Sequence, residues 1–214
     1  MKRAVICFTR VPRPGITKTR LLPVLTPDRC AGLHRAFLRD LADVYRQLDA
    51  HLFIAYAPDP DWESLKSIFP DAGYLPQKGD DLGERMYRVI RKVLSLGYTS
   101  VILTGADLPM MTASHLESGF AALEEKDIAL GPTSDGGYYL IGMKRPCREI
   151  FRVEGYGGSN VFENTMKAAE DGGLSVGLAL LCDDVDTPED LKQLLETAPA
   201  HSHTAQYLNQ EGIR

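Results

Sequence analysis

Four basic residues crowd the stretch Thr9-Arg-Val-Pro-Arg-Pro-Gly-Ile-Thr-Lys-Thr-Arg-Leu21: Arg10, Arg13, Lys18 and Arg20. Such a set can hold an anion. Lys18 can place a point charge on a phosphate, and Arg20 a planar fork across two of its oxygens. Gly15 lets the backbone approach an anion closely, and Thr19 and Arg10 complete the candidate ligand set. The run from Gly15 to Leu21, G-x-x-K-T-R-L, is not a Walker A loop, because no glycine directly precedes Lys18. Six basic residues and no acid precede Asp28, although the whole chain has 24 basic and 29 acidic residues, a net charge of −5. The rest of the chain is therefore 18 basic against 29 acidic, so the positive charge is concentrated where the first loop begins. A merely solvated basic loop is the alternative reading of the same composition.

Carboxylates supply the second kind of chemistry. Thr104-Gly-Ala-Asp107-Leu-Pro109 ends an apolar run with one acid. An aspartate at the carboxyl end of a strand can ligate Mg²⁺ or Mn²⁺, or simply satisfy a turn. Cys182-Asp-Asp-Val-Asp186-Thr-Pro-Glu-Asp190 brings Asp183, Asp184 and Asp186 close together, which is costly without a cation. Glu189 and Asp190 suit the start of a helix, where they complement its dipole. Gly131-Pro-Thr-Ser-Asp135-Gly-Gly-Tyr-Tyr139 reads as a tight turn, with Asp135 a candidate base or acceptor-positioning group. Gly83 and Arg85, in Gly79-Asp-Asp-Leu-Gly-Glu-Arg-Met86, are unusual for helix initiation alone and are candidate substrate contacts. The five histidines form no ligand pattern, and neither G-x-S-x-G nor H-E-x-x-H occurs.

These residues need a scaffold, and the hydrophobic pattern predicts an α/β one. Strands are predicted at Arg3–Phe8, His51–Tyr56, Ser100–Thr104, Asp127–Leu130, Tyr138–Met143 and Leu174–Cys182, with Gly73–Pro76 extended. Helices are predicted after Thr26, over Trp62–Phe69 and Asp81–Leu96, over Thr112–Leu123, after Ser159 or Asn160, and after Thr187. The pair around Asp135 breaks the parallel pattern, so a mixed, mostly parallel sheet with one antiparallel strand is expected. The residues past Pro199 are polar and carry little structural signal. At 214 residues and 44% hydrophobic, the chain suits a soluble globular domain. The apolar run after Met1-Lys-Arg is too short for a membrane span or a signal peptide. Four dispersed cysteines suit small buried side chains in a reducing cytoplasm. The acidic balance argues against nucleic-acid binding.

The ordered motifs G-x-x-K-T-R-L, G-A-D-x-P, L-G-P-x-x-D-G-G-Y-Y-L-I-G and D-V-D-T-P-E-D-L resemble a bacterial family. Its members are usually called nucleotide-diphospho-sugar transferases or glycosyltransferases of the GT-A type. More distantly, the chain is similar to the 2-phospholactate and molybdenum-cofactor guanylyltransferases. The resemblance runs from about Ala4 to Leu191. It implies one three-layer GT-A domain over residues 1–198, with a nucleotide-binding half (1–110) and an acceptor half (111–198). Residues 199–214 follow as a polar tail. It also implies a nucleotide or nucleotide-sugar over the first loop, a small-molecule acceptor, and Mg²⁺ or Mn²⁺ between Asp107 and Asp186. Two positions depart from the family pattern: Met110, where relatives often carry an acid, and Gly158-Ser-Asn160, where they tend to show tryptophan followed by serine or threonine. The implied activity is glycosyl transfer, with nucleotidyl transfer to a phosphorylated small molecule as the alternative. A non-catalytic sugar-nucleotide binding module and a phosphohydrolase are the other classes considered. The sequence leaves assembly, including a homodimer, open.

Overall fold

The computed structural model describes residues 2–153 and 155–213. Seven strands are β1 (Arg3–Thr9), β2 (His51–Tyr56), β3 (Gly73–Pro76), β4 (Ser100–Thr104), β5 (Ile128–Pro132), β6 (Tyr138–Met143) and β7 (Val176–Leu178). They form one sheet in the order β3-β2-β1-β4-β6-β5-β7. Only β6 runs antiparallel, against β4 and β5; every other pairing is parallel. The sheet is therefore mixed and mostly parallel, as the sequence predicts. β1 and β4 are near-continuous apolar runs because both their faces are covered.

Four α-helices cover those faces, α1 (Pro27–Tyr45), α2 (Leu82–Leu94), α3 (Ala113–Glu125) and α4 (Val161–Asp171), while α5 (Pro188–Thr197) and α6 (His203–Gln210) pack with α1 in a third cluster. One core layer joins Leu38 and Leu41 of α1 and Leu116 and Phe120 of α3 to Val5, Ile54 and Ile102. The other joins Met86, Val89, Ile90 and Val93 of α2 and Ala169 of α4 to Ile6, Val101 and Ile141. The apolar spacing of α2 thus docks as expected, except that Leu82 stays 42% exposed. Helix starts follow their caps. The side chains of Thr26, Asp81 and Thr187 each accept from a backbone N–H of the first turn.

Two expectations need correction. The strand predicted over Leu174–Cys182 is ordered as β7 only at Val176–Leu178. Beyond it the chain leaves the ladder with two backbone bonds, Ala179 N to Leu130 O and Cys182 N to Pro132 O. Residues past 198, expected as a structureless polar tail, contain α6. Leu208 and Ile213 there pack with Leu33 and Phe37 of α1, and Asp40 accepts from His203 N, Thr204 N and Thr204 Oγ1. The buried pair Leu208 and Ile213 is too sparse in sequence to reveal a docked helix.

The site-bearing loops follow from the topology. The chain leaves β1 through α1 to β2 on one side, while β4 pairs on the other. The carboxyl ends of β1 and β4 therefore open a crevice where the strand order switches, the usual ligand position in such sheets.

Candidate active site

The first loop is built before any ligand arrives. Ile16 N and Thr17 N donate to Arg13 O, and buried Thr17 returns a hydroxyl bond to the same carbonyl. Gly15 supplies the turn at φ 74. Arg13 pairs with Asp59 at 2.9 Å, tying the loop to the segment after β2. Leu21 and Leu25 are buried in a third cluster with Val185, Leu191 and Leu194. That cluster holds the loop against the Asp186 segment. Between these anchors Lys18 takes a left-handed backbone, φ 54 and ψ 39, the only non-glycine residue with positive φ among those described. Such strain persists only where the surroundings impose it.

The Lys18 side chain is 1% exposed and points inward. Its Nζ lies 2.5 Å from Asp107 Oδ1 and 3.0 Å from Asp186 Oδ1, and donates to Val185 O at 2.6 Å. The Asp107 contact is an ion pair without hydrogen-bond alignment, since Oδ1 has no satisfied hydrogen bond. Arg20 is largely solvent-facing, with Nη1 3.6 Å from Asp186 Oδ2. From α1, buried His34 aims Nδ1 at Asp107 Oδ1, 3.3 Å away, while Nε2 sits 3.2 Å from Thr9 Oγ1. Burial raises the Asp107 carboxyl, but the Lys18 ammonium and His34 outweigh it and hold the group well below the ordinary carboxylate range. Asp184 behaves oppositely: burial, then Asp186, Asp135 and Asp107, push it up to about 6, with Lys18 offsetting part of the rise.

A cleft of about 560 Å³ collects Arg10, Lys18, Thr19, Arg20, Arg85, Asp107 and Asp186, with His34 and Gln77. Seven of the residues singled out in the sequence thus meet in one place. Arg85 uses Nε on Gly79 O at 2.8 Å. Gly15 does not line this cleft. Gly83 is buried in the first turn of α2, where a Cβ would meet Phe151 O at 2.2 Å, so close packing accounts for that glycine. Asp135 lies apart from the cleft, beside a second cavity. Its Oδ1 accepts from Gly137 N and Thr133 Oγ1, holding the β5–β6 turn. The three late acids divide their work. Asp183 accepts from Ser134 N and Oγ at 2.7 Å, Asp184 carries the raised carboxyl, and Asp186 meets Lys18. Met110, in place of an acid, packs partly buried on the third apolar cluster. Gly157 and Gly158 line the second cavity, so the loop that departs from the family pattern does border a binding space.

The oxygen donors Asp107 and Asp186 suit a hard divalent cation, and Asp135 and Asp184, whose carboxyl is raised first by burial and then by its neighbouring aspartates, add negative charge nearby. No group of three or more potential metal ligands occurs among the described residues. Two carboxylates, completed by substrate phosphates and water, are the arrangement Mg²⁺ commonly uses. His34 escapes sequence inspection because it sits on the apolar face of α1, at the same three-residue spacing as Ala31 and Phe37. Its one signal is a polar residue within that stripe.

A family model described as an uncharacterized protein conserved in bacteria (DUF2064) matches residues 40–157. The chain belongs to this family. It is 31% identical over 205 residues to a phosphoenolpyruvate guanylyltransferase of Sphaerobacter thermophilus, covering 91% of this chain and 94% of that protein. It is 27% identical over 186 residues to a 2-phospho-L-lactate guanylyltransferase of Methanoregula boonei, covering 86% and 78%. A crystal structure from Desulfovibrio desulfuricans G20, provisionally described as a nucleotide-diphospho-sugar transferase, superposes with a TM-score of 0.89. It is 33% identical, over 99% of this chain and 96% of that one. The DUF2064 chain has the nucleotide-diphospho-sugar transferase-like fold and is an enzyme of the transferase class.

Proposed function

We propose that this DUF2064 protein is a divalent-metal-dependent nucleotidyltransferase that moves a nucleotide from a nucleoside triphosphate to a phosphorylated small molecule. The carrying observation is the cleft, where Arg10, Lys18, Arg20 and Arg85 face Asp107 and Asp186 at the strand switch. Those four side chains can bind a triphosphate from two elements, the first loop and α2. In the transfer, an oxygen of the acceptor phosphate attacks the α-phosphorus, and the bond from that phosphorus to the α–β bridging oxygen breaks. Pyrophosphate leaves with the electron pair. The attacking phosphate is already anionic, so no general base is required, and Asp135 is assigned to acceptor placement. Lys18 and Arg20 stabilise charge that builds on the transferring and leaving oxygens. Asp107 and Asp186 would hold the cation, whose chemistry there is to neutralise phosphate charge. His34 orients Asp107 from behind.

The guanylyltransferase relatives support nucleotidyl over glycosyl transfer. Glycosyl transfer remains the second reading because the cavity beside the cleft is lined by tyrosines able to bound a sugar. The test is incubation with GTP, CTP or UTP, Mg²⁺, and a panel of phosphorylated small molecules. Acceptor-dependent pyrophosphate release, lost in Asp107→Asn, is the expected result. Nucleoside diphosphate release from a nucleotide sugar, without pyrophosphate release from any triphosphate, would replace this reading by glycosyl transfer. Steady phosphate release without acceptor would indicate a phosphohydrolase.

A further inference from the structure

The Lys18 ammonium lies in a seat made of three oxygens. Nζ donates to Val185 O at 2.6 Å and to Asp186 Oδ1 at 3.0 Å, and lies 2.5 Å from Asp107 Oδ1. The first two contacts are directed hydrogen bonds. The third is not: Asp107 Oδ1 is buried between the ammonium and the His34 ring, and accepts no aligned hydrogen bond. A carboxylate oxygen held beside a positive charge without a directed bond is placed as a ligand of a spherical cation is placed. Two carboxylates and a backbone carbonyl are also oxygen types that hard divalent ions take. The chain's own charge therefore fills the seat that the proposed reading gives to a divalent cation.

The frame of this seat is fixed. Val185 N donates to Asp107 O at 2.9 Å, which ties the two acid-bearing segments together. Asp190 Oδ2 accepts from Asp186 N at 3.0 Å and from Thr187 N at 2.7 Å, so the first turn of α5 anchors Asp186. The occupant is attached differently. Lys18 reaches in on a flexible four-carbon stem from a strained backbone position in the first loop. Its side chain is buried, whereas both acids are partly exposed and line the cleft with Arg10, Arg20 and Arg85. An ion from the cleft can therefore reach the carboxylates, but not while the ammonium holds them, because like charges at this range exclude each other. The phosphates of a nucleotide in the cleft offer the three N–H donors of Lys18 another set of anionic acceptors.

We propose that Lys18 is the resting occupant of the cation seat: it keeps a free divalent ion from Asp107 and Asp186, and a nucleoside triphosphate admits the ion by drawing the ammonium onto its phosphates. One ammonium serves the acids in the free enzyme and the phosphates in the complex. The order of binding follows. The free enzyme holds the ion weakly, and the ion enters with the nucleotide or after it.

This inference rests on the proposed reading for the cation's place at Asp107 and Asp186, and its test needs no turnover. Mn²⁺ titrations followed by electron paramagnetic resonance, without nucleotide, compare the native chain with Lys18→Met. The variant is expected to bind Mn²⁺ at least about tenfold more tightly. Asp186→Asn in the Lys18→Met chain is expected to abolish that gain. Lys18→Gln, which keeps a donor for Val185 O but no charge, gives the same comparison if Lys18→Met does not fold. Equal affinity in native chain and variant, binding by neither, or a gain that survives Asp186→Asn would overturn the proposal. A second arm is a crystal of the native enzyme with Mn²⁺ and a non-hydrolysable triphosphate analogue. An anomalous peak at Asp107 and Asp186, with Lys18 Nζ on a phosphate, is expected; Lys18 still bridging the two acids, with or without bound analogue, would overturn it. Neither arm reads pyrophosphate release. A chain that gains Mn²⁺ in Lys18→Met yet releases no pyrophosphate from any triphosphate would remove nucleotidyl transfer and leave the role of Lys18 standing.

Discussion

Lys18→Met is the sharpest perturbation of the site, because the ammonium it removes is 1% exposed and paired with two acids. Methionine keeps the stem's packing and, having a Cβ, keeps the left-handed strain, so the change isolates the charge. It leaves Asp107 Oδ1 facing His34 alone and Asp186 without its buried partner. Truncating one member of a fully buried pair costs about 3–5 kcal/mol. The two carboxylates are 37% and 31% exposed, so water screens part of the loss. The discounted cost is about 2 kcal/mol. In a domain of this size that lowers Tm by about 4–8 °C. Thermal and urea denaturation, each with and without millimolar MgCl₂, read the effect. If Asp107 and Asp186 are the cation ligands, Mg²⁺ should recover more Tm in Lys18→Met than in the native chain, because the variant's acids have lost their counter-charge. A variant within about 0.5 kcal/mol of the native protein would refute the ion-pair argument. A Mg²⁺ response no larger than the native one would refute the assignment of the two acids.

Gly83→Ala should destabilise by about 1–3 kcal/mol through overpacking against Phe151 O and the Tyr156 ring, while nucleotide affinity stays near native; denaturation and equilibrium binding measure the two separately. Asp40→Ala removes three hydrogen bonds that hold the start of α6, so limited proteolysis should cut within residues 199–213 faster, with about 2 kcal/mol lost. Asp127 accepts from Ser175 N and Oγ, bonds that hold its carboxyl below the usual range. A carboxyl lowered on folding adds stability above its unfolded pKa and loses it as pH falls through the folded one. Asp127→Asn should therefore flatten the acid limb of the stability–pH curve, and a native-like limb in the variant would count against this role.

What the sequence revealed depended on whether a signal was local. Caps at Thr26, Asp81 and Thr187, the apolar face of α2 and the break at Asp135 are local patterns, and each placed its element. The basic loop and the acids at 107 and 186 were visible as residue types at strand ends. Their pairing was not: Lys18 and Asp186 are 168 positions apart, and the segment after β7 brings them to 3.0 Å by crossing back over β5 to bond Val185 N to Asp107 O. His34 was hidden for the same reason, since a lone histidine in an apolar stripe points nowhere until β4 lies beside it. Gly83 looked functional because glycine is unusual in a first helical turn; the cause was a carbonyl from the residues after β6, equally invisible locally. The docked α6 was missed because its buried face, Thr204, Ala205 and Leu208, holds a single large apolar side chain, too little to stand out as a stripe.

Lys18 also changes what the basic loop can mean. Read as composition, its charge is available to a phosphate; in the fold it is already shared by Asp107, Asp186 and Val185 O. The loop is consequently set before a ligand binds, and a nucleotide need not pay to order it. A triphosphate drawing on Lys18 must compete with the two acids, whereas Arg10, Arg20 and Arg85 have more freedom to meet it. On the proposed reading, a divalent cation at those acids relieves that competition by satisfying the carboxylates. Cation and nucleotide then strengthen each other's binding by the same factor, as linkage requires. The strained φ of 54 at Lys18 is the visible cost of fixing one ammonium where both events converge.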